Sequence, residues 1–514
     1  MSDRLTWRGW VGFMSMVLGM FMAILDIQIV SASLSDIQAG LSASPDEAAW
    51  VQTSYLIAEI VMIPLSGWLS HLLSTRILYT VSCLGFTVFS LLCASASSLP
   101  AMIFFRAMQG FIGGAMIPTV FASSFLMFTA DKRVRISVLI GLTATMAPTI
   151  GPTLGGWLTQ QFSWHWLFLI NVPVGLLVSF NVWNFVHIDR PDFSLLKRFD
   201  YLGLGLLGAF LGSLEYVLED GNKNDWFQDP GIAVFATIAG AGAVLFVWRM
   251  LARRDPLVEL RAFRNLNFAA GSMFSFTLGI GLYGSVFVVP LFLARVRGYD
   301  SLAIGENMFI TGLFMFASAP VSAQLIRYID MRRMLAFGLA MFGVSLWWLA
   351  SLTSQSSFWD MAAPQALRGF AMMFIMLPIN QIALGTLPPA QLKNASGLYN
   401  LMRNLGGAFG LAIINTLATT RGSVHLRHLQ DQVTWSRPAA TNFLATLEQG
   451  YAATKGASAH LAALQTLAGM VMREALTLAY NDALMWMSVA FFVAIPLTFV
   501  LARPPTAATP VEAH

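Results

Sequence analysis

Residues 11–32 read VGFMSMVLGMFMAILDIQIVSA, a run whose single formal charge is Asp26. A helix rises about 1.5 Å per residue and a bilayer's hydrocarbon core is about 30 Å thick, so about 20 mostly apolar residues cross it. This stretch meets that length. Comparable stretches follow at 48–69, 77–97, 100–121, 136–158, 165–187, 201–219, 231–250, 268–293, 302–326, 334–352, 359–383, 397–418 and 482–502, giving fourteen expected spans. Composition agrees: the 514 residues are 56% hydrophobic and 11% charged, and the mean hydropathy is +0.66. Such a chain lies outside the range of water-soluble domains. The expected fold class is an all-α, multi-pass membrane protein.

The placement of charge orients the spans. Short loops on the cytoplasmic side accumulate Lys and Arg. With both termini inside, 19 of the 30 basic residues fall on the cytoplasmic side and 8 outside, while Arg106, Arg368 and Arg403 fall within spans. The outside connections near 34–47, 94–99, 159–164 and 353–358 contain no Lys or Arg. This bias explains the pI of about 9.1. The basic residues sit in short loops and form no continuous face for nucleic acid. Cys83 and Cys93 share one expected span and read as space-filling residues. The first span is longer than a signal-peptide core and leads straight into others, so no cleavable leader is expected.

The chain divides into 1–188, with six expected spans, 189–265, with two, and 266–514, with six. Basic loops at 189–200 and 249–266 frame the middle pair as an inserted hairpin between comparable halves. A weak internal repeat links those halves: FFRAMQGFIGGAMIP at 104–118 matches PQALRGFAMMFIMLP at 364–378. Repeats of this kind occur in secondary transporters, whose substrate site lies where the halves meet near the bilayer midplane. Residues 419–480 form the one sizeable extramembrane segment, Ala-rich with helical stretches, and should face outside. The tail 504–514 reads as disordered.

Ionisable residues inside spans are rare and usually line pathways. Asp26 deep in span 1 reads as a carboxylate that exchanges a proton or meets a cationic substrate, or as a structural acceptor between helices. Glu59 in span 2, Glu215 in span 7 and Glu306 early in span 10 are further candidates for the same work. Arg106 must find acceptors, and Asp26 lies at a suitable depth. Arg368 and Arg403 pose the same question in the second half. In span 5, APTIGPTLGG (147–156) combines helix-bending prolines with glycines that permit close helix approach, the composition of a hinge or of a tight contact. His425, His428 and Asp431 have spacing that could hold a metal, although paired histidines in a solvent loop usually bind none. There is no GxxxxGK[ST] phosphate loop, nucleophile elbow or HExxH, and neither enzymatic activity nor a cofactor is expected.

Several segments together resemble the major facilitator superfamily, and within it the fourteen-span drug:proton antiporters of the EmrB/QacA type. They are LDIQIVSASL (25–34), IPLSGWLSHLLSTR (63–76), FFRAMQG (104–110), APTIGPTLGG (147–156), WHWLFLINVPVG (164–175) and LYNLMRNLGGAFG (398–410). The resemblance implies two six-helix halves plus the inserted hairpin. It makes Asp26 the acid of span 1, Arg106 the arginine of span 4, and Gly151, Pro152, Gly155 and Gly156 the antiport motif. Arg76, Asp330, Arg333 and Arg403 fall at positions it implies for gating. His71 departs from the pattern, standing where the family often has an aspartate. The resemblance implies a proton-coupled exporter of small drug-like molecules in the inner membrane, working with a periplasmic adaptor and an outer-membrane channel. A proton-linked importer or facilitator for one metabolite shares the same architecture. A membrane receptor or enzyme fits less well, for want of any catalytic constellation.

Reporter fusions test the topology. A periplasmic reporter near Gly450 and a cytoplasmic one at His514 should both be active, and the opposite pattern at either site overturns the assignment.

Overall fold

The computed structural model describes residues 7–299 and 301–501. The expected tail at 504–514, and with it Arg4 and Arg503 of the charge tally, lie outside the described residues. No strand occurs among the described residues. That is what lipid demands, because a backbone amide in hydrocarbon has no water to bond and a helix satisfies it internally.

The chain runs through α1 (Trp7–Ala32), a short α2 (Leu34–Gly40), α3 (Pro45–Leu73), α4 (Thr75–Ala94), α5 (Leu99–Gly113), α6 (Met116–Met127), α7 (Ala130–Gln161), the one-turn α8 (Trp166–Leu169) and α9 (Asn171–Phe185). The pair α10 (Tyr201–Asp220) and α11 (Pro230–Ala252) follows. Then come α12 (Leu266–Arg295), α13 (Ser301–Leu325), α14 (Met331–Leu349), α15 (Phe358–Gly385), α16 (Leu392–Gln432), α17 (Pro438–Lys455) and α18 (Ala459–Ala494). Ends are fixed by local chemistry: Ser44 with Glu47, and Ser357 with Asp360, form reciprocal capping boxes at α3 and α15.

Among the described residues, eleven helices are long and apolar enough to cross a membrane, twelve if α7, bent by 43° between Lys132–Pro148 and Ile150–Gln161, counts as one span. The two other expected spans, 334–352 and 397–418, are helical but fall short on composition. Arg332 and Arg333 open α14, and Asn400, Arg403, Asn404 and Asn415 interrupt the apolar run of α16.

The packing repeats itself. α1 lies against α7 and α9, α3 against α5, and α4 against α5 and α9. Likewise α12 lies against α16 and α18, α13 against α15, and α14 against α15 and α18. The contacts between the two sets pair off the same way: α3 with α16 matches α13 with α7, and α6 with α16 matches α15 with α7. Close approach is built in at equivalent places. A Cβ on Gly110 of α5 would lie 2.3 Å from the Tyr55 carbonyl oxygen on α3, and one on Gly369 of α15 would lie 2.0 Å from that of Thr311 on α13.

The helices α10 and α11 form a hairpin closed at its base by Asp200. This carboxylate accepts from the Gly203 amide at 2.8 Å, capping α10, and pairs with Arg249 at 2.7 Å and Arg253 at 3.0 Å at the far end of α11. The hairpin is not peripheral to the seam between the two sets, for α10 packs on α3 and on α16.

The segment 419–480 is less a loop than a projection. With 41 residues, α16 is about 60 Å long, twice the hydrocarbon core, and α18 has 36 residues. Their extensions carry α17, which packs on α18. His425 and Arg421 on α16 reach Asp482 on α18 at 2.9 and 3.6 Å, where the two helices leave the bundle. His425 is thus engaged, and no group of three or more potential metal ligands occurs among the described residues.

Candidate transport site

Directions follow from the chain path. Residues 63–67 of α3 meet 394–397 of α16, so that end of the bundle is opposite the one carrying α17. Asp26, Ser90 and Arg106 therefore lie on the α17 side, and Glu59, midway along α3, lies near the centre.

Asp26 is fully buried inside the first helix set. One carboxylate oxygen accepts from Arg106 Nη1 at 2.7 Å, and the other accepts from Asn171 Nδ2 at 2.6 Å and Gln109 Nε2 at 3.4 Å. Gln109 Oε1 accepts from Arg106 Nη1 at 2.7 Å, and Gln109 Nε2 donates to Ser90 Oγ at 2.7 Å. Arg106 Nε donates to the Val51 carbonyl at 3.2 Å, and the guanidinium lies 4.2 Å from the Tyr55 ring centroid. A buried ion pair survives only with such supporting hydrogen bonds, because desolvating two charges costs several kcal/mol. The cluster joins α1, α3, α4, α5 and α9. The partner anticipated for Arg106 from depth alone is the one found.

A second site lies at the seam. A cavity of about 70 Å³ is lined by Ile27 and Gln28 of α1, Leu56 and Glu59 of α3, Glu215 and Glu219 of α10, Tyr283 of α12, and Asn404 and Leu411 of α16, among others. That volume accommodates a few waters and no drug-sized molecule. No side-chain hydrogen bond or ion pair links the three carboxylates to another described residue. The structure thus brings Glu59 and Glu215 together and adds Glu219. Its signal in the sequence was the spacing within EYVLED (215–220), where residues four apart share a helix face. Glu306 is exposed on α13 and lines none of this cavity.

The bend in α7 falls at the proline-rich motif, where removed amides weaken the helix ladder. Gly151 and Gly155 press on α1: added Cβ atoms would meet Gln28 Cβ at 2.4 Å and the Ile29 carbonyl oxygen at 2.8 Å. Gly156 is half-buried on the same helix. Thr153 of this segment abuts Gly305 of α13, so the motif stands between a helix of its own set and one of the other.

At the end opposite α17, Arg76 bonds His187 at 2.9 Å and stacks on Trp183. Asp330 caps α14 and pairs with Arg332 at 3.0 Å, while Arg333 is exposed. Arg403 is buried, donates to Asn400 at 2.6 Å and lies over Phe121. Arg368 is buried with Thr311 Oγ1 at 3.0 Å.

The contact between sets at this end was not legible in the sequence. Asp189 accepts from the Thr75 amide at 3.0 Å, at the first residue of α4, and pairs with the Lys393 ammonium, which also donates to the Ser70 carbonyl at 3.0 Å. A carboxylate from beyond α9, that of Asp189, thus lies close to the end of α3 that carries His71.

Comparison with known proteins fits this geometry. The model of the Major Facilitator Superfamily matches residues 16–411. The chain belongs to that family. It is 40% identical to the "Colistin resistance protein EmrB" of Acinetobacter baumannii, over 96% of both chains. It is 31% identical to the "Multidrug export protein EmrB" of Escherichia coli, over 95% of this chain and 94% of that one. With the "Fatty acid resistance protein FarB" of Neisseria gonorrhoeae it shares 28% identity over 96% of both. Among solved structures, the human organic anion transporter MFSD10 superposes with a TM-score of 0.61 at 13% identity, covering 95% of this chain and 99% of that one. The proton:xylose symporter XylE superposes with 0.57 at 11%, covering 93% and 94%. These two likenesses establish the fold. The EmrB-type resemblance read from the motifs is borne out by the named relatives.

Replacing Arg106 by Leu leaves Asp26 buried without its cation and should cost about 3–5 kcal/mol. Adding Asp26→Asn should recover part of the loss. Thermal unfolding of the detergent-solubilised protein measures both, and an Arg106→Leu variant as stable as wild type would refute the assignment of this pair as a structural core.

Proposed function

We propose that this transporter is a proton-coupled multidrug exporter of the inner membrane, with both termini cytoplasmic and fourteen spans arranged as two six-helix halves and a hairpin. The observation that carries the reading is the set of unpaired carboxylates in a cavity at the seam between two symmetry-related helix sets. A carboxylate with no fixed cation is neutral when protonated and attractive to a cationic or polar drug when not. Proton and drug therefore exchange at one place, the cavity widening to admit a drug-sized molecule only when the seam parts. Alternating access follows when the seam parts first at one end, then at the other. Proton entry is driven in part by the membrane potential, about 2.3 kcal/mol per charge per 100 mV. Relatives named for multidrug export, colistin resistance and fatty acid resistance support export of amphipathic compounds.

Asp26 and Glu59 stand differently in this cycle. Asp26 is held by three donors, so its exchange requires the Arg106 pair to open, whereas Glu59 meets none. Drug-induced proton release from wild type, Glu59→Gln and Asp26→Asn tests this. Glu59→Gln should lose most of the release; Asp26→Asn should lose pH-driven efflux while still binding drug. Undiminished release by Glu59→Gln overturns the cavity assignment, and normal transport by Asp26→Asn makes Asp26 a structural acceptor.

The projection of α16, α17 and α18 is the surface for a periplasmic adaptor, which in turn reaches an outer-membrane channel. Deleting α17 should spare membrane insertion and weaken co-purification with the adaptor. Equal recovery of adaptor with the deleted form would remove the tripartite assignment.

A further inference from the structure

The hairpin is usually dispensable to an account of two pseudo-symmetric halves, yet its first helix supplies two of the three acids in the central cavity. We propose that α10 is part of the substrate site, and that Glu215 and Glu219, facing Glu59 across the cavity, select amphipathic dications over monocations. This rests on the exporter reading above and adds to it a substrate class and a determinant.

The cavity's charge is one-sided. Its lining includes Glu59, Glu215 and Glu219, and no Lys, Arg or His. Glu215 is only 5% exposed, and its Oε2 has no hydrogen-bond partner. Leaving a buried carboxylate unpaired costs several kcal/mol, so such a group awaits a proton or a cation brought by the ligand. Residues four apart on a helix place their side chains about 6 Å apart on one face, so Glu215 and Glu219 form a two-point anionic edge. Glu59 stands on the opposing helix, and Ile27, Leu56 and Leu411 supply an apolar wall. Tyr283 adds an aromatic side chain to the lining.

Fixed charges nearby do not neutralise this edge. Arg106, Asp26 and Arg403 act on Glu59 from α5, α1 and α16. Glu215 feels Glu219 and Glu59, both acidic. Lys223 acts on Glu219, but its ammonium is already paired with Asp220 at 2.9 Å.

The hairpin is also held firmly enough to position these groups. Tyr216 stacks on Trp50 of α3 with ring centroids 5.6 Å apart. Trp226 Nε1 donates to Thr416 Oγ1 of α16 at 3.1 Å, and Asn222 Nδ2 to Thr419 Oγ1 at 3.2 Å. Since α3 and α16 come from opposite halves, α10 bridges the seam that must open for transport.

Binding to the purified full chain tests the proposal without any gradient, using dequalinium as dication, ethidium as monocation and anilinonaphthalene sulfonate as anion. Glu215→Gln and Glu219→Gln should each weaken dequalinium about tenfold, 1.4 kcal/mol, and ethidium about threefold or less. Glu215→Asp should retain the preference for dequalinium. Equal losses for both cations, or none, in variants that elute as monodisperse protein overturn the proposal, as does anion binding as tight as dication binding in wild type. Glu219→Gln, at a half-buried position, keeps the test open if Glu215→Gln fails to fold. Failure of the exporter reading would show separately, as wild-type vesicles that move none of the three compounds under a pH gradient.

Discussion

A buried guanidinium cannot be left alone in a membrane, and the first half of this protein is organised around that constraint. Arg106 is surrounded by groups drawn from five helices: Asp26, Val51, Gln109, Tyr55 and, through Gln109 and Asp26, Ser90 and Asn171. Each contributing helix is positioned by what it offers the cation or its counter-ion. At the corresponding place in the second half Arg368 donates to Thr311, which donates to Gln365, and no acid pairs with Arg368 among the described residues. The two halves share a packing plan but not an electrostatic one.

Much of this was legible beforehand because hydrocarbon leaves few choices. Apolar runs must be helices, and charges within them must be paired or functional, so Asp26, Arg106 and Glu59 could be singled out from one sequence. What could not be read is what depends on long-range placement. Asp189 and Lys393 are separated by 204 positions, and neither lies in an apolar run that marks it as unusual. Glu306 carries the same signature as Glu59, and only packing decides that one faces the cavity and the other does not. The expected spans at 334–352 and 397–418 fall short in apolar content, because arginines open α14 and Arg403 with several asparagines interrupts α16.

The inserted pair shows how an addition can become integral. Asp200 ties its two ends together with Arg249 and Arg253, so the hairpin carries its own closure and makes few demands on its host at that end. At the other end it is fastened to both halves by aromatic and hydroxyl contacts. A unit attached in this way rides with the seam, and acids placed on its inner face line the cavity there.

The length of α16 has a mechanical consequence. One uninterrupted helix begins at the Lys393 contact with the first half and ends beside α17. Because a helix of about 60 Å transmits tilt rigidly, a rotation of about 10° around its inner end sweeps the far tip sideways by about 10 Å. Any tilt of α16 about the Lys393 contact is thus magnified at the end that carries α17.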